Sequence, residues 1–193
     1  MAEKRIFTVV LAAGASSRFG LPKQLEKYDG TPLVTRAMQL AEEVCGSRTV
    51  LVAGHEWRAV VQACRPLRGY FANNVRYRSG MAASIACGVR CVTAAADAVL
   101  LLLADQPLVT RAHLDVLIAA FRDSRGNIVA TGFARTAGPP VIFPRRYFAE
   151  LCDLQGDAGA RSILARAADR VRTVTFEDAS VDIDRPGDLE RLR

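Results

Sequence analysis

The chain reads as an α/β protein of the Rossmann-like three-layer α/β/α kind, built on a mixed but mostly parallel sheet. Three observations predict this. Short apolar runs rich in β-branched residues alternate with stretches of helical period, which is the order of βα units. One run, residues 98–104, is apolar throughout, as a strand covered on both faces must be. The first run opens into a loop rich in glycine and serine and not into a tight hairpin turn. With 193 residues a globular chain can bury about 70% of its extended surface, so residues 1–193 are expected to form a single domain.

The first strand is expected over residues 6–11, every one of them apolar or β-branched. A loop through Gly20 follows, then an amphipathic stretch over 32–44. A second strand is expected over 49–52, a helix over 57–64, a short strand near 70–73 and a helix over 80–92. The buried strand 98–104 ends at Asp105-Gln106-Pro107, where a polar residue sits in the crevice beyond the carboxyl edge of the sheet. Thr110 can cap the amphipathic helix that runs to about residue 123. The last third is less regular, with strands near 128–131 and 141–143, helices near 146–151 and 157–168, and an extended stretch over 171–176. Val181-Asp182-Ile183-Asp184 then precedes a terminal helix opened by Pro186, a residue suited to a first helical position.

Composition excludes several classes. Half the residues are apolar and 24% are charged, which is globular composition. Five cysteines, an odd number with no CxxC pair, imply a reduced, cytoplasmic protein. No run approaches the ~20 apolar residues of a membrane span, and no membrane association is expected. The net charge of +6 raises the question of nucleic acid, but the arginines are scattered, aromatics are few among them, and no nucleic-acid motif is present. The same positive field attracts a small polyanionic substrate. His55 and His113 are the only histidines, too few for imidazole metal clusters or Ser-His-Asp chemistry.

The most informative segment is Leu11-Ala-Ala-Gly-Ala-Ser-Ser-Arg-Phe-Gly-Leu-Pro-Lys23. A strand that runs into Gly14, small residues and Gly20 lets backbone N–H groups approach a phosphate, while Arg18 and Lys23 supply charge. The spacing is neither GxGxxG nor a Walker A loop, and an ordinary βα turn is the competing reading. Gly80, Ser84 and Gly88 recur every four residues after Asn73 and Asn74, and so permit close approach of a ligand or of another backbone. Cys87 and Cys91 share that spacing and read as core residues. Asp105 reads either as a cap or turn residue or as a cation ligand. Asp157 reads as a helix cap.

The segment from Leu11 to Lys23 resembles the signature of the MobA-like nucleotidyltransferases, within the sugar-nucleotide pyrophosphorylase-type superfamily, and so implies the nucleotide-diphospho-sugar transferase type of fold. Four further blocks agree in order: NVRYRSGMAASIACG (74–88), LLLADQPL (101–108), LQGDAGARSIL (154–164) and DIDRPGDL (182–189). Together they resemble the molybdenum-cofactor cytidylyltransferase branch, often called MocA. The resemblance implies Mg²⁺-dependent transfer of CMP from CTP to the terminal phosphate of a molybdopterin-type cofactor, with release of pyrophosphate. It assigns catalysis to Arg18, Lys23 and Asp105, and nucleotide binding to Leu11, Ala12, Ala13, Gly14, Lys23, Asn74, Gly80 and Ser84. The acceptor falls to Gly138, Asp157 and Arg161.

Mg²⁺ takes one or two carboxylates plus substrate phosphates. The resemblance assigns it to Asp105 with Asp182 or Asp184. Asp182 fits the superfamily position, yet alternation along an extended chain puts both on one face. Asp188 is expected to be a first-turn helix carboxylate. An acceptor phosphate has a second pKa of about 6, so it needs no general base, in keeping with the scarcity of histidine.

Ala12-Ala13 resembles the cytidylyl branch, where the guanylyl branch has Ala-Gly-Gly and more room for a purine. In Gly138-Pro139-Pro140-Val141, Pro139 stands where relatives often have His or Asn, and it has no side-chain donor. Use of GTP, or of another phosphorylated acceptor, therefore stays open. So does a role as cofactor carrier or insertion partner for a molybdenum hydroxylase. An oxidoreductase is disfavoured by the missing GxGxxG.

Overall fold

The apolar runs form a seven-stranded sheet whose strand order places the first and the central runs side by side. The computed structural model describes residues 4–16, 19–124, 126–157 and 159–192. In chain order the elements are β1 (Ile6–Ala12), the short β2 (Lys27–Tyr28) and β3 (Thr31–Pro32), α1 (Leu33–Cys45), β4 (Thr49–Ala53), α2 (Trp57–Ala63) and β5 (Tyr70–Asn73). There follow α3 (Met81–Val92), β6 (Ala98–Leu103), α4 (Arg111–Asp123), β7 (Ile128–Phe133), β8 (Thr136–Pro144), α5 (Phe148–Cys152), α6 (Arg161–Arg166), β9 (Val171–Thr175) and α7 (Pro186–Glu190).

The sheet order is β5-β4-β1-β6-β8-β7-β9. Only β8 runs against the others. Alternate side chains feed two cores. Ile6, Val10, Leu51, Leu100 and Leu102 pack under α1, α2 and α4, while Val9, Leu11, Val52, Val99 and Leu101 pack under α3, α5 and α6. This is the three-layer α/β/α arrangement. Gly88 of α3 lies so close to Val9 and Val52 that a Cβ would collide with both, so its place in the small-residue series serves helix-to-sheet packing. No helix among the described residues is long and apolar enough to cross a membrane.

Strand order reverses between β1 and β6, the place where a parallel α/β sheet opens a crevice beyond its carboxyl ends. Leu11 pairs with Leu103, and the Ala104 N–H donates to the Leu11 carbonyl at 3.2 Å. Both chains therefore leave the sheet at one height and deliver Gly14 and Asp105 to the same crevice. Thr110 caps α4 by accepting from the His113 N–H at 3.2 Å.

Several expected boundaries are corrected. The strand expected over 141–143 is the end of the nine-residue β8, which pairs with β7 through a two-residue turn at Ala134-Arg135, both at positive φ. The helix expected over 157–168 begins four residues later, as α6, and no side chain caps it; Asp157 lies in the preceding turn. The 146–151 helix is a 3₁₀ turn over Arg145–Tyr147 followed by α5. Residues 181–184 form no strand, although Ile183 is fully buried between Asp182 and Asp184.

Candidate nucleotide-binding cleft

A cleft of about 1130 Å³ opens at the carboxyl ends of β1 and β6. Its walls include Leu11, Ala12, Ala13 and Gly14 from β1 and its loop, Gly80 and Ser84 from the start of α3, and Asp157 and Arg161 from the α6 side. Lys23, Asp105, Asp182 and Asp184 line it too. Twelve of the residues singled out from the sequence thus come together from five separate blocks. Asn74 and Gly138 do not join them but stand behind the wall, and Arg18 lies outside the described residues.

Asn74 is buried, donates to Ser84 Oγ at 3.1 Å and accepts from the Arg76 N–H at 3.0 Å. Its amide braces the Ser84 hydroxyl. Gly138 sits within β8, where an added Cβ would press on the Phe133 ring; its neighbour Pro139 is the one that reaches the cleft. Gly80, at φ +96°, is required for a different reason. A Cβ there would collide with the Asp157 carboxylate and the Gly156 carbonyl, and the Ala82 N–H donates to that carbonyl at 3.1 Å.

The loop after β1 is held by a residue that the motif reading passed over. Gln24 is only 3% exposed. Its amide donates to the Gly14 carbonyl at 2.6 Å, and its carbonyl accepts from Ser16 Oγ at 3.3 Å. Ser16 Oγ in turn accepts from the Lys23 N–H at 3.1 Å. With its carbonyl tied back to Gln24, the Gly14 peptide cannot turn freely, which is the preorganisation a backbone anion cradle needs. Arg78 and Tyr77 also line the cleft and were not singled out, although they belong to the 74–88 block.

Lys23 Nζ stands 2.7 Å from Asp105 and 2.9 Å from Asp184, with its side chain 15% exposed. Burial alone would lower the ammonium's pKa, but Asp105 and then Asp184 outweigh it and leave it raised. Asp182 is pushed up to about 6, first by burial and then by the charges of Asp105 and Asp184, against a hydrogen bond from Gln106 and the charge of Lys23. The Ile183 N–H donates to the Asp105 carbonyl at 2.9 Å, which brings the C-terminal carboxylates to the end of β6. Gln106 secures the same segment by donating to the Ala179 carbonyl at 2.8 Å. Asp188 accepts from the Asp184 and Arg185 N–H groups at 3.0 and 2.8 Å and so closes the start of α7, as expected of a first-turn carboxylate.

These carboxylates are a hard, oxygen-only donor set of the kind that suits Mg²⁺ or Mn²⁺. Among the described residues no three His, Cys, Asp or Glu side chains stand together at metal-binding spacing. One or two carboxylates can nonetheless hold such a cation when substrate phosphates complete its shell.

A glycine-bearing loop, a lysine between two carboxylates and a further aspartate thus meet at the switch point of a mostly parallel sheet. The chain belongs to the family of the MobA-like NTP transferase domain, whose model matches residues 8–171. The purine catabolism protein PucB of Bacillus subtilis is 29% identical over 196 residues, 96% of this chain and 94% of its own length. Rv0371c of Mycobacterium tuberculosis H37Rv, solved as a complex with manganese, matches at 27% identity and a TM-score of 0.78 over 97% of both chains. A nucleotidyl transferase from Methanothermobacter shares the fold, with a TM-score of 0.82 at 22% identity over 98% of this chain and 96% of its own.

Proposed function

We propose that the protein transfers CMP from CTP to the terminal phosphate of a molybdopterin-type cofactor and releases pyrophosphate. The observation that carries this reading is the Lys23 ammonium held between Asp105 and Asp184, at the height of the Gly14 loop. The chemistry needs in-line alignment and neutralisation of charge, with little covalent work for the protein. An acceptor phosphate oxygen attacks the α-phosphorus, and the bond from that phosphorus to the bridging oxygen of the leaving pyrophosphate breaks. The attacking oxygen is already ionised near neutral pH, so neither His55 nor His113 is needed, and neither lines the cleft.

The Gly14 loop and Lys23 serve the triphosphate, with Arg18 as a further cation by resemblance. Asp105 with Asp182 or Asp184 would hold Mg²⁺, which supplies charge neutralisation at the phosphates when bound. The manganese bound by the Mycobacterium relative supports a divalent requirement here. Arg161 and Arg78, on the far wall, suit the anionic acceptor. The Ala13 methyl is buried in the wall on the side of Leu11 and Ile85, where it favours a pyrimidine over a purine base, while the Ala12 methyl packs into the opposite core. A molybdenum hydroxylase that takes up the product is the partner class this reaction implies.

The test is pyrophosphate release by the purified protein with each NTP, Mg²⁺ and molybdopterin. CTP should be preferred to GTP by a ratio of kcat/KM on the order of 100, a difference of a few kcal/mol. Equal use of GTP would remove the cytidylyl assignment. Because Pro139 offers the cleft no donor, release with CTP and a different phosphorylated acceptor would reassign the acceptor alone.

A further inference from the structure

The contact between Lys23 and Asp105 has a second implication, which rests on the reading above. The Lys23 ammonium lies 2.7 Å from one Asp105 oxygen and 2.9 Å from one Asp184 oxygen. It therefore sits between Asp105 and one of its two candidate partners for the cation. A divalent cation on the same oxygens would stand in contact with the ammonium, with like charges facing each other where the lysine is mostly buried, so both cannot hold those oxygens at once. The backbone of Lys23 is fixed, so only its side chain can leave the carboxylates. Its own N–H is tied to Ser16, and it begins the 3₁₀ turn Lys23–Leu25 that packs on α1 through Leu25. Leaving the carboxylates, the ammonium would lose two ion pairs, and what offsets that loss is another anion within its reach. The loop that carries it also carries Gly14, so that anion is the triphosphate.

We propose that Lys23 is a built-in competitor for the divalent cation, so that the cation binds well only when a nucleoside triphosphate draws the lysine off the carboxylates. Metal and nucleotide then bind as one coupled event. By linkage each strengthens the other by the same factor, over and above chelation of the metal by the free nucleotide. The arrangement also keeps Asp105 paired and oriented when no substrate is bound.

The experiment is a titration of the full-length chain with Mn²⁺ alone, the free ion being measured by electron paramagnetic resonance. It compares wild type, Lys23→Gln, Lys23→Arg and the double variant Lys23→Gln/Asp105→Asn. Lys23→Gln should bind Mn²⁺ at least tenfold more tightly than wild type. Lys23→Arg, which keeps a cation in place, should remain weak, and the double variant should lose the gain. Thermal unfolding of Lys23→Gln with and without Mn²⁺ gives a second readout, since binding to the folded state alone raises Tm; a larger rise than in wild type is expected. If Lys23→Gln binds Mn²⁺ no better than wild type while the double variant binds it more weakly than Lys23→Gln, competition is refuted and the metal assignment survives. If no protein shows Asp105-dependent Mn²⁺ binding even with CTP present, the metal assignment falls and the proposal falls with it.

Discussion

The Ile183 N–H donates to the carbonyl of Asp105 at 2.9 Å, joining a segment near the end of the chain to the tip of the central strand. This bond and the burial of the Ile183 side chain among Phe19, Leu33 and Leu189 set Asp182 and Asp184 beside Asp105. The two flanking aspartates follow from simple alternation around a buried residue, without a strand ladder.

Ile183→Ala should therefore damage both stability and chemistry. Removing a fully buried isoleucine side chain costs about 2–5 kcal/mol, and the loosened segment should lower kcat at least tenfold. Urea unfolding and steady-state kinetics read the two effects. A loss of stability with kcat unchanged would mean that the C-terminal aspartates take no part in turnover.

Gln24→Glu should raise KM for the triphosphate by about tenfold or more, with a smaller change in kcat. The substitution sets a carboxylate oxygen against the Gly14 carbonyl, replacing a 2.6 Å hydrogen bond with two facing acceptors. A buried group left unsatisfied costs about 1–3 kcal/mol. If KM stayed constant while stability fell, Gln24 would be a packing residue and not a positioning one.

Lys23→Ala and Lys27→Ala should separate cleanly. Lys23 lies in the cleft between two carboxylates, whereas Lys27 is an exposed residue of β2. Loss of one preorganised charge near the reacting phosphates is worth on the order of 10²-fold in rate, so Lys23→Ala should fall by about that factor and Lys27→Ala should stay near wild type. Equal kinetics would refute the phosphate role of the loop.

His113 makes the fold sensitive to acid. Thr131 Oγ1 donates to the Pro140 carbonyl at 2.7 Å, so its proton is spent, and His113 Nε2–H must be the donor in their 2.8 Å contact. The ring also stacks on Phe176 at 4.3 Å, and burial pushes its pKa down to about 4. An unfolded chain titrates this ring near 6.5 and so binds more protons than the folded one between those values. The contribution of His113 to stability is intact above about pH 6.5 and is lost as pH falls toward 4. Tm measured from pH 7 to pH 4 should decline more steeply in wild type than in His113→Leu; parallel curves would show that this ring is not the source.

Much of this was legible in the sequence because the relevant residues sit where local chemistry is unambiguous. An unbroken apolar run such as 98–104 has few places to go in a small α/β domain, and a charge at its end, Asp105, falls in the crevice. Thr110 capped the helix that its position announced. What stayed hidden depends on contacts distant in sequence. Asn74 looks like a ligand residue, but it lies behind the cleft wall, where its amide bonds Ser84 and the Arg76 N–H. Asp157 looks like a helix cap, yet it packs against Gly80 from another block. The turn at Ala134-Arg135 carries no glycine or asparagine to mark its positive φ angles. By contrast, Asp29-Gly30 between β2 and β3, also at positive φ, is a hairpin signal that the sequence does display.

The central claim is that Asp105 and its partners support nucleotidyl transfer, and one measurement tests it most directly. Pyrophosphate release from CTP with molybdopterin and Mg²⁺ is followed for wild type and for Asp105→Asn, whose amide keeps the shape of the side chain and removes its charge. The account predicts steady release by wild type and a loss of at least about 10²-fold in the variant, with the variant's fold confirmed by unfolding. Full activity of Asp105→Asn at ordinary Mg²⁺, or no release by wild type with any NTP, would contradict it.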